Sequence, residues 1–297
     1  MINPVSRVAG ALTSGSFAGA WALVRALPEP VAKQLFQAGA DLAVARGGKG
    51  VERLRSNLQR VAPGEDLTRD AMRSYARYWL EVFRLPSTSL ETVVERTVAV
   101  NEATYRAALA RGRGTILALP HTGNWDAAGA WVVATGTRFT TVAERLKPES
   151  LYDQFVAFRE GLGMEVLPLT GGRPPYETLV ERLEAGGLLA LLADRDLTPR
   201  GIDVEFFGAT SRMPAGPARL ALDTGATLLP VTLALTRGGW EITFHDAVEH
   251  TDLPTMTQAM ADAFAAGIAK HPQDWHMLQR VWLDDLDPDD PRRAPQQ

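Results

Sequence analysis

The stretch from residue 115 to residue 126 reads TILALPHTGNWD and joins an apolar run to a polar loop. Its first five residues predict a buried strand, and the apolar residues after Asp126 predict a helix. His121 therefore follows the carboxyl end of a strand, where open α/β sheets place their active sites. Its imidazole accepts a proton near neutral pH, and Asp126 is close enough in sequence to orient it. The alternative is that Asn124 or Asp126 only caps the helix and His121 is an ordinary loop residue.

Beyond this stretch, strand and helix patterns alternate along the chain. Further strands are predicted at 139–142, 164–169, 188–193, 204–207, 227–235 and 241–245. Helices are predicted at 102–111, 148–161, 176–185, 214–224 and 255–270. Such alternation predicts an α/β fold with a mostly parallel central sheet flanked by helices on both faces.

The first part of the chain has a different pattern. Its helical stretches are 5–27, 30–46 and 67–83, with a flexible break at 47–50. We therefore predict an all-helical N-terminal region over residues 1–90, which associates with a membrane and helps to form a groove. An α/β domain then spans 91–283. The remaining residues, 284–297, are acidic and Pro-rich, which predicts a disordered tail.

Composition narrows the possible functions. The chain has 297 residues and a net charge of -4, which gives no reason to expect nucleic acid as a partner. It has no cysteine, so disulfides, thiolate metal sites and a Cys nucleophile are excluded. The charge is uneven, because residues 1–60 carry eight Lys or Arg against three Asp or Glu.

The interval between Arg7 and Arg25 is the most apolar part of this basic region. Its 17 uncharged residues fall short of the ~20 that a membrane span needs. Apolar residues with a basic surround predict a helix that lies on a membrane or seals a lipid groove. An ordinary docking helix is the alternative.

Polar clusters follow several of the predicted strands. They are Glu144 to Lys147, Asp194 to Asp196, and the stretch from Arg212 to Pro217 that we expect to open a helix. Charges next to buried strands are costly unless they are paired or functional, so their convergence on one edge predicts a site. The arginines favour an anionic ligand, because guanidinium binds phosphate bidentately.

Several familiar site types are absent from the sequence. It has no Gly-rich nucleotide loop and no Gly-x-Ser-x-Gly nucleophile elbow. The histidines do not have metal-ligand spacing, so no metal site is expected. Direct group transfer with His121 as general base is then the simplest hypothesis.

The segment His121 to Asp126 resembles the His-x4-Asp motif of the lysophospholipid acyltransferase superfamily, in the form found in its lipid A lauroyl acyltransferase branch. Further blocks resemble the actinobacterial phosphatidylinositol mannoside acyltransferases. They are AERLKP (143–148), DRDLT (194–198), VEFFG (204–208) and MPAGPA (213–218). The resemblance covers roughly 10–283, and the ordered blocks make it specific.

This resemblance implies a peripheral membrane enzyme on the cytoplasmic face of the cell membrane. It would transfer a palmitoyl-type chain from acyl-CoA, its co-substrate, to the 6-hydroxyl of a mannose on phosphatidylinositol mannoside. Besides these two lipids, the anionic inner membrane surface would be its partner, and it would need no cofactor. The alternatives are transfer to another glycolipid or a lysophospholipid, a non-catalytic lipid-binding protein, and a thioesterase.

The resemblance also implies roles for individual residues. His121 would be the general base, and an acidic residue would orient it. The family position after the apolar strand is commonly Glu and here is Asp194, so Asp126 could compete for the imidazole. The substrate-binding candidates are Glu144, Arg159, Arg195, Arg200 and Asp223. Arg195 or a backbone amide could also stabilise charge on the thioester oxygen.

Overall fold

The computed structural model describes residues 24–144, 149–172, 174–196, 201–290 and 293. The strands are β1 (Thr97–Val100), β2 (Thr115–Leu119), β3 (Phe139–Ala143), β4 (Glu165–Pro168), β5 (Leu188–Leu192), β6 (Ile202–Phe206), β7 (Ala209–Met213), β8 (Thr227–Leu235) and β9 (Trp240–Phe244). Among these described residues, seven strands form one sheet in the order β1-β9-β8-β2-β5-β3-β4, and β6 pairs with β7 in a separate hairpin.

Most neighbours in the central sheet are parallel. β2 lies between β5 and β8 and is parallel to both, with Leu119 opposite Leu192 on β5. The exception is β9, which pairs antiparallel with β8 across the short connection at residues 236–239. The prediction of a mostly parallel sheet is therefore confirmed.

Helices cover both faces of this sheet. They are α1 (Glu29–Arg46), α2 (Lys49–Val61), α3 (Thr68–Arg84), α4 (Leu90–Glu95), α5 (Glu102–Ala110), α6 (Trp125–Ala134), α7 (Glu149–Gly161), α8 (Pro175–Glu184), α9 (Gly216–Thr224) and α10 (Leu253–Lys270). Strand β2 shows how the faces divide, since successive side chains of a strand point to opposite sides. Ile116 and Ala118 join the core beneath α8, α9 and α10, whereas Leu117 and Leu119 join the core beneath α5 and α6.

Two strands are not predicted by the sequence patterns. β1 is a four-residue edge strand with mostly half-buried side chains, so it lacks the apolar run of the central strands. β7 pairs with β6 and ends at Met213, so Arg212 lies in a strand and not in the loop that opens α9. Arg212 instead donates a hydrogen bond to Asp203 on β6, at 2.6 Å.

The described N-terminal region is helical at residues 24–26 and in α1, α2 and α3. The predicted helices 30–46 and 67–83 correspond to α1 and α3, whereas α2 is not among the predicted helices. The predicted break at 47–50 is shorter, because Gly47 and Gly48 alone separate α1 from α2. Both have positive φ angles, 68° and 134°, which glycine adopts at little cost. Of the predicted helix 5–27, residues 5–23 lie outside the described part of the chain.

The chain beyond residue 283 begins with a packed segment, although a tail is predicted there. Leu286 is buried, and Arg60 on α2 approaches Asp285 at 3.5 Å. Arg280 pairs with Asp287 at 2.5 Å. Over the described ranges, no helix combines the length and the apolar content needed to cross a bilayer.

Candidate active site

Three residues of the loop between β2 and α6 fix its position against β8 and the start of α6. Gly123 has a φ of 54°, and a Cβ atom there would lie 2.9 Å from Leu233 on β8, so only glycine fits. The side chain of Thr122 accepts a hydrogen bond from the Leu233 amide at 3.1 Å. Asn124 caps α6 by accepting from the Ala127 amide at 3.0 Å. Asn124 is therefore a helix cap, and His121 is carried on a rigid loop.

His121 contacts a carboxylate from the neighbouring strand. Its Nδ1 lies 2.5 Å from Oδ1 of Asp194, and its backbone amide donates to Oδ2 at 2.9 Å. Because β2 and β5 are parallel and adjacent, the residues that follow them meet at one sheet edge. The Asp194 side chain is fully buried, whereas the imidazole is 20% exposed.

The environment of Asp194 keeps it ionised. Burial alone would raise its pKa, but the positive charge that His121 can carry and hydrogen bonds from His121 and Trp275 outweigh burial. The pKa of Asp194 therefore lies below its ordinary value. An ionised carboxylate accepts a proton donor at Nδ1, which leaves Nε2 of His121 as the unprotonated nitrogen.

Asp126 is engaged elsewhere. Within the described part of the chain, its carboxylate accepts hydrogen bonds from Arg159 on α7, at 2.7 and 3.2 Å, and from the Tyr78 hydroxyl on α3, at 3.0 Å. Burial would lower the pKa of Arg159, but the Asp126 carboxylate outweighs it and the pKa is raised. The structure thus joins Asp194, and not Asp126, to the imidazole.

An open groove of about 620 Å³ borders His121. Glu144 and Arg195 also line it and pair with each other at 3.2 Å. Tyr176 lines its wall, and the Tyr176 hydroxyl donates to Asp223 at 2.5 Å. Three of the predicted residues, Glu144, Arg195 and His121, thus share the groove. Arg200 lies outside the described residues.

A second, apolar cavity opens between α6, α7 and the sheet. Its walls are formed by Leu117, Leu119, Trp125, Asp126, Ala128, Gly129, Val132, Phe139, Thr141, Val142, Arg159, Met164, Ala190, Leu192, Val231, Ile242 and Phe244. Val142 and Leu192 line this cavity and also the groove. An apolar chain bound in the cavity could therefore place a polar end near His121.

The chain is similar to known proteins over most of its length. The model of the bacterial lipid A biosynthesis acyltransferase family matches residues 10–284. The chain belongs to this family. It is 50% identical over 294 residues to a phosphatidylinositol mannoside acyltransferase of Mycolicibacterium smegmatis, covering 96% of this chain and 95% of the relative. It is 48% identical over 296 residues to proteins of the same name from two strains of Mycobacterium tuberculosis, covering 96% of this chain and 93% of each relative.

This member of the family is accordingly an O-acyltransferase. Three residues of its candidate site are not among those predicted from the sequence. Tyr78 reaches Asp126 from α3, Tyr176 lines the groove, and Trp275 donates to Asp194 at 2.9 Å. For Trp275 a signal exists, since it stands between Asp274 and His276 in the sequence. The two tyrosines lie on helical patterns with no such signal.

The described residues of the acyltransferase include no cluster of side chains suited to bind a metal ion. Over residues 24–144, 149–172, 174–196, 201–290 and 293, no three His, Asp or Glu side chains are grouped so that they could hold an ion. His276 is instead buried against aromatic rings, and burial with repulsion from His121 lowers the pKa of His276 to about 3. It is therefore neutral near neutral pH.

Proposed function

We propose that this enzyme transfers a palmitoyl-type acyl chain from acyl-CoA to the 6-hydroxyl of a mannose on phosphatidylinositol mannoside. The observation that carries the proposal is the His121–Asp194 pair, which borders the groove next to the apolar cavity. The acceptor is proposed because the relatives at about half identity bear the name phosphatidylinositol mannoside acyltransferase.

In the proposed mechanism, Nε2 of His121 takes the proton of the sugar hydroxyl as that oxygen attacks the thioester carbonyl. The imidazolium that forms is stabilised by Asp194, which also maintains the tautomer with the proton on Nδ1. The tetrahedral intermediate then breaks its carbon–sulfur bond. The thiolate of coenzyme A leaves and takes up the proton from Nε2, so the products are an ester and a free thiol.

The two cavities would divide the substrates between them. The acyl chain would run along the groove and extend into the apolar cavity, which has a volume of about 80 Å³ and largely aliphatic and aromatic walls. The polar parts of donor and acceptor would lie in the groove, where Arg195 can bind a phosphate and Glu144 can accept a sugar hydroxyl. Arg195, or a backbone amide, would also stabilise the thioester oxygen.

Arg159 and Asp223 would act at the borders of these spaces. Arg159 lines the apolar cavity but uses two of its N–H groups on Asp126, so only its other donors can reach a substrate. Asp223 would orient the Tyr176 hydroxyl at the groove wall. Arg200 remains a proposed substrate contact because it matches an arginine of the family in sequence.

We also propose peripheral association with the cytoplasmic face of the cell membrane. Helix α1 exposes Val31, Leu35 and Leu42, which are 43%, 57% and 48% accessible. Their spacing of four and seven residues places them on one side of the helix. Such a row can insert into the interfacial layer of a bilayer, and the basic character of residues 1–60 favours anionic lipid.

The test is acyl transfer from palmitoyl-CoA to purified phosphatidylinositol mannoside by wild-type protein and by the His121→Ala variant. The variant should lose about a hundredfold or more of its activity while circular dichroism shows an intact fold. His271→Ala, a residue that lines neither cavity, is the matched control and should keep its activity. A folded His121→Ala variant with normal transfer would overturn the mechanism.

Parallel assays distinguish the acceptor from the alternatives. A lysophospholipid and a glycolipid without mannose should be acylated far more slowly than phosphatidylinositol mannoside, and release of free palmitate to water should be slower still. Equal transfer to the lipid without mannose would reject the proposed acceptor. Hydrolysis that outpaces transfer would identify a thioesterase instead.

A further inference from the structure

A short segment after α10 holds the loop that carries His121. The amide of Gly123 donates to the carbonyl of Asp274 at 2.9 Å, and the amide of His276 donates to the carbonyl of His121 at 2.8 Å. These bonds lie on both sides of Trp275, which forms an isolated antiparallel bridge with Thr122. The indole of Trp275 is thereby fixed next to the candidate catalytic pair.

Trp275 contacts the carboxylate and not the imidazole. Its Nε1 donates to Oδ2 of Asp194 at 2.9 Å, and both side chains are fully buried. The same Oδ2 accepts the backbone amide of His121, whereas Oδ1 faces the imidazole Nδ1. Two donors on one oxygen oppose rotation of the carboxylate, so Oδ1 is kept available for the imidazole.

The indole itself is anchored. Asp274 accepts from the Ser74 hydroxyl on α3 at 2.6 Å and from the Leu235 amide at 2.8 Å. The ring of Trp275 packs edge-on against Phe206 and Trp282, with centroids 5.9 and 6.0 Å away. The N–H group of Trp275 therefore has little freedom to leave Asp194.

We infer that Trp275 is a positioning residue for acyl transfer, whose indole N–H holds Asp194 in the orientation that engages His121. The inference rests on the proposed function, in which the pair performs general-base catalysis. Loss of a hydrogen bond to a buried charge should lower kcat about ten- to a hundredfold.

The decisive comparison is between Trp275→Phe and Trp282→Phe. Both residues are buried indoles of one aromatic cluster, and each donates a single hydrogen bond, but Trp282 donates to the backbone carbonyl of Phe206 at 2.7 Å. Trp275→Phe should lower kcat by the factor given above, with KM for both substrates nearly unchanged. Trp282→Phe should keep kcat, although both variants melt at lower temperature. Equal kcat values for the two folded variants would overturn the inference.

A second replacement covers the case in which Trp275→Phe does not fold. Benzothienylalanine, inserted at position 275 by a suppressor tRNA, keeps the shape of the indole and replaces its N–H by sulfur. It should lower kcat as Trp275→Phe does. Normal kcat with this residue would show that the N–H is dispensable and would reject the inference.

A double-variant cycle separates this inference from the proposed function. In an Asp194→Ala background, Trp275→Phe should cause little further loss, because the carboxylate that it positions is gone. An undiminished loss in that background would mean that Trp275 acts through another group. If Asp194→Ala alone keeps normal activity, the proposed catalytic pair fails; if it loses activity while Trp275→Phe does not, only the role of Trp275 fails.

Discussion

The two acidic candidates near His121 differ in what surrounds them. Asp194 has the imidazole as its charged partner, whereas Asp126 balances the guanidinium of Arg159. In the proposed mechanism, the His-x4-Asp motif therefore contributes one residue to the chemistry, and its other residue lies in a buried ion pair. Spacing in the sequence does not reveal this division. Asp126 is five residues from His121 in the sequence, whereas Asp194 is 73 residues away and contacts it only in the folded protein.

This division predicts opposite results for two isosteric substitutions. Asp194→Asn should abolish most of the acyl transfer with a modest effect on stability. Asp126→Asn should lower the free energy of unfolding by about 3 kcal/mol, because it leaves the Arg159 charge without its counter-charge in a largely buried place. Denaturant titrations and transfer assays on both variants measure these effects.

Replacing both Asp126 and Arg159 gives the control. The double variant Asp126→Asn with Arg159→Met should recover part of the lost stability, since no unpaired charge remains. A normally stable Asp126→Asn variant without activity would instead place Asp126 in the chemistry.

His276 predicts a dependence of stability on pH. The pKa of this residue is about 3 in the folded protein, because burial disfavours its charged form, and about 6.5 in an unfolded chain. As pH falls below about 6.5, the unfolded state binds a proton that the folded state excludes. The free energy of unfolding should therefore fall by up to about 1.4 kcal/mol per pH unit from this group.

Urea titrations at about pH 7 and about pH 5 test this sign. His276→Gln, whose amide nitrogen lies about where Nε2 does and can still donate to Ser74, should lose stability less steeply than the wild type over the same interval. Burial raises the pKa of Asp274, which acts in the opposite sense at lower pH, but Asp274 is unchanged in the variant and largely cancels in the comparison. Identical slopes would show that folding does not lower the pKa of His276.

At the scale of elements, the packing of α6 against the sheet decides the size of the apolar cavity. Gly129 lies on the face of α6 that lines the cavity, and a Cβ atom there would approach Met164 to 2.7 Å and Phe139 to 3.0 Å. Because the Met164 contact is the end of a flexible side chain, a methyl group would displace it within the cavity. The space for an acyl chain would then be reduced.

Gly129→Ala should therefore shift the enzyme towards shorter chains. The ratio of kcat/KM for palmitoyl-CoA to that for decanoyl-CoA should fall about tenfold, an effect of the size expected for a lost methylene pocket. Gly39→Ala is the control, since Gly39 also lies in a helix but has open space around it. An unchanged ratio for Gly129→Ala would indicate that the acyl chain binds elsewhere.

At the scale of the whole molecule, the N-terminal helices and the α/β part share the site. Helix α3 supplies Tyr78 to Asp126, Glu81 to Asn124 and Ser74 to Asp274. The boundary that we predict at residue 90 therefore divides the sequence by pattern, while the contacts cross it. Helix α1, the proposed membrane contact, packs against α3 and is in this way connected to the loop that carries His121.

Membrane binding provides the prediction at this scale. Leu35→Asp on α1 should weaken binding to vesicles that contain phosphatidylinositol about tenfold, because burial of one leucine in the interface is lost. Ala266→Asp adds the same charge to an exposed position of α10 and is the control. Co-sedimentation at low salt measures both. Equal binding by the two variants would exclude the row on α1 as the membrane contact.

Residue patterns alone are enough to predict the strand–loop–helix unit around His121, the alternation that builds the sheet, and the family. These features depend on local periodicity and on motifs, which neighbouring residues carry. Such patterns could not indicate the edge strand β1 or the hairpin strand β7, because short strands of mixed burial have no clear apolar pattern.

Which side chains meet in the site follows from the tertiary structure. It placed Asp194 on His121 and Asp126 on Arg159, and it brought Trp275 to the carboxylate from 81 residues away. Such pairings depend on the order of strands in the sheet and on the path of the chain after α10. Contacts between distant residues follow from how elements pack together, and no local pattern of residues encodes that packing.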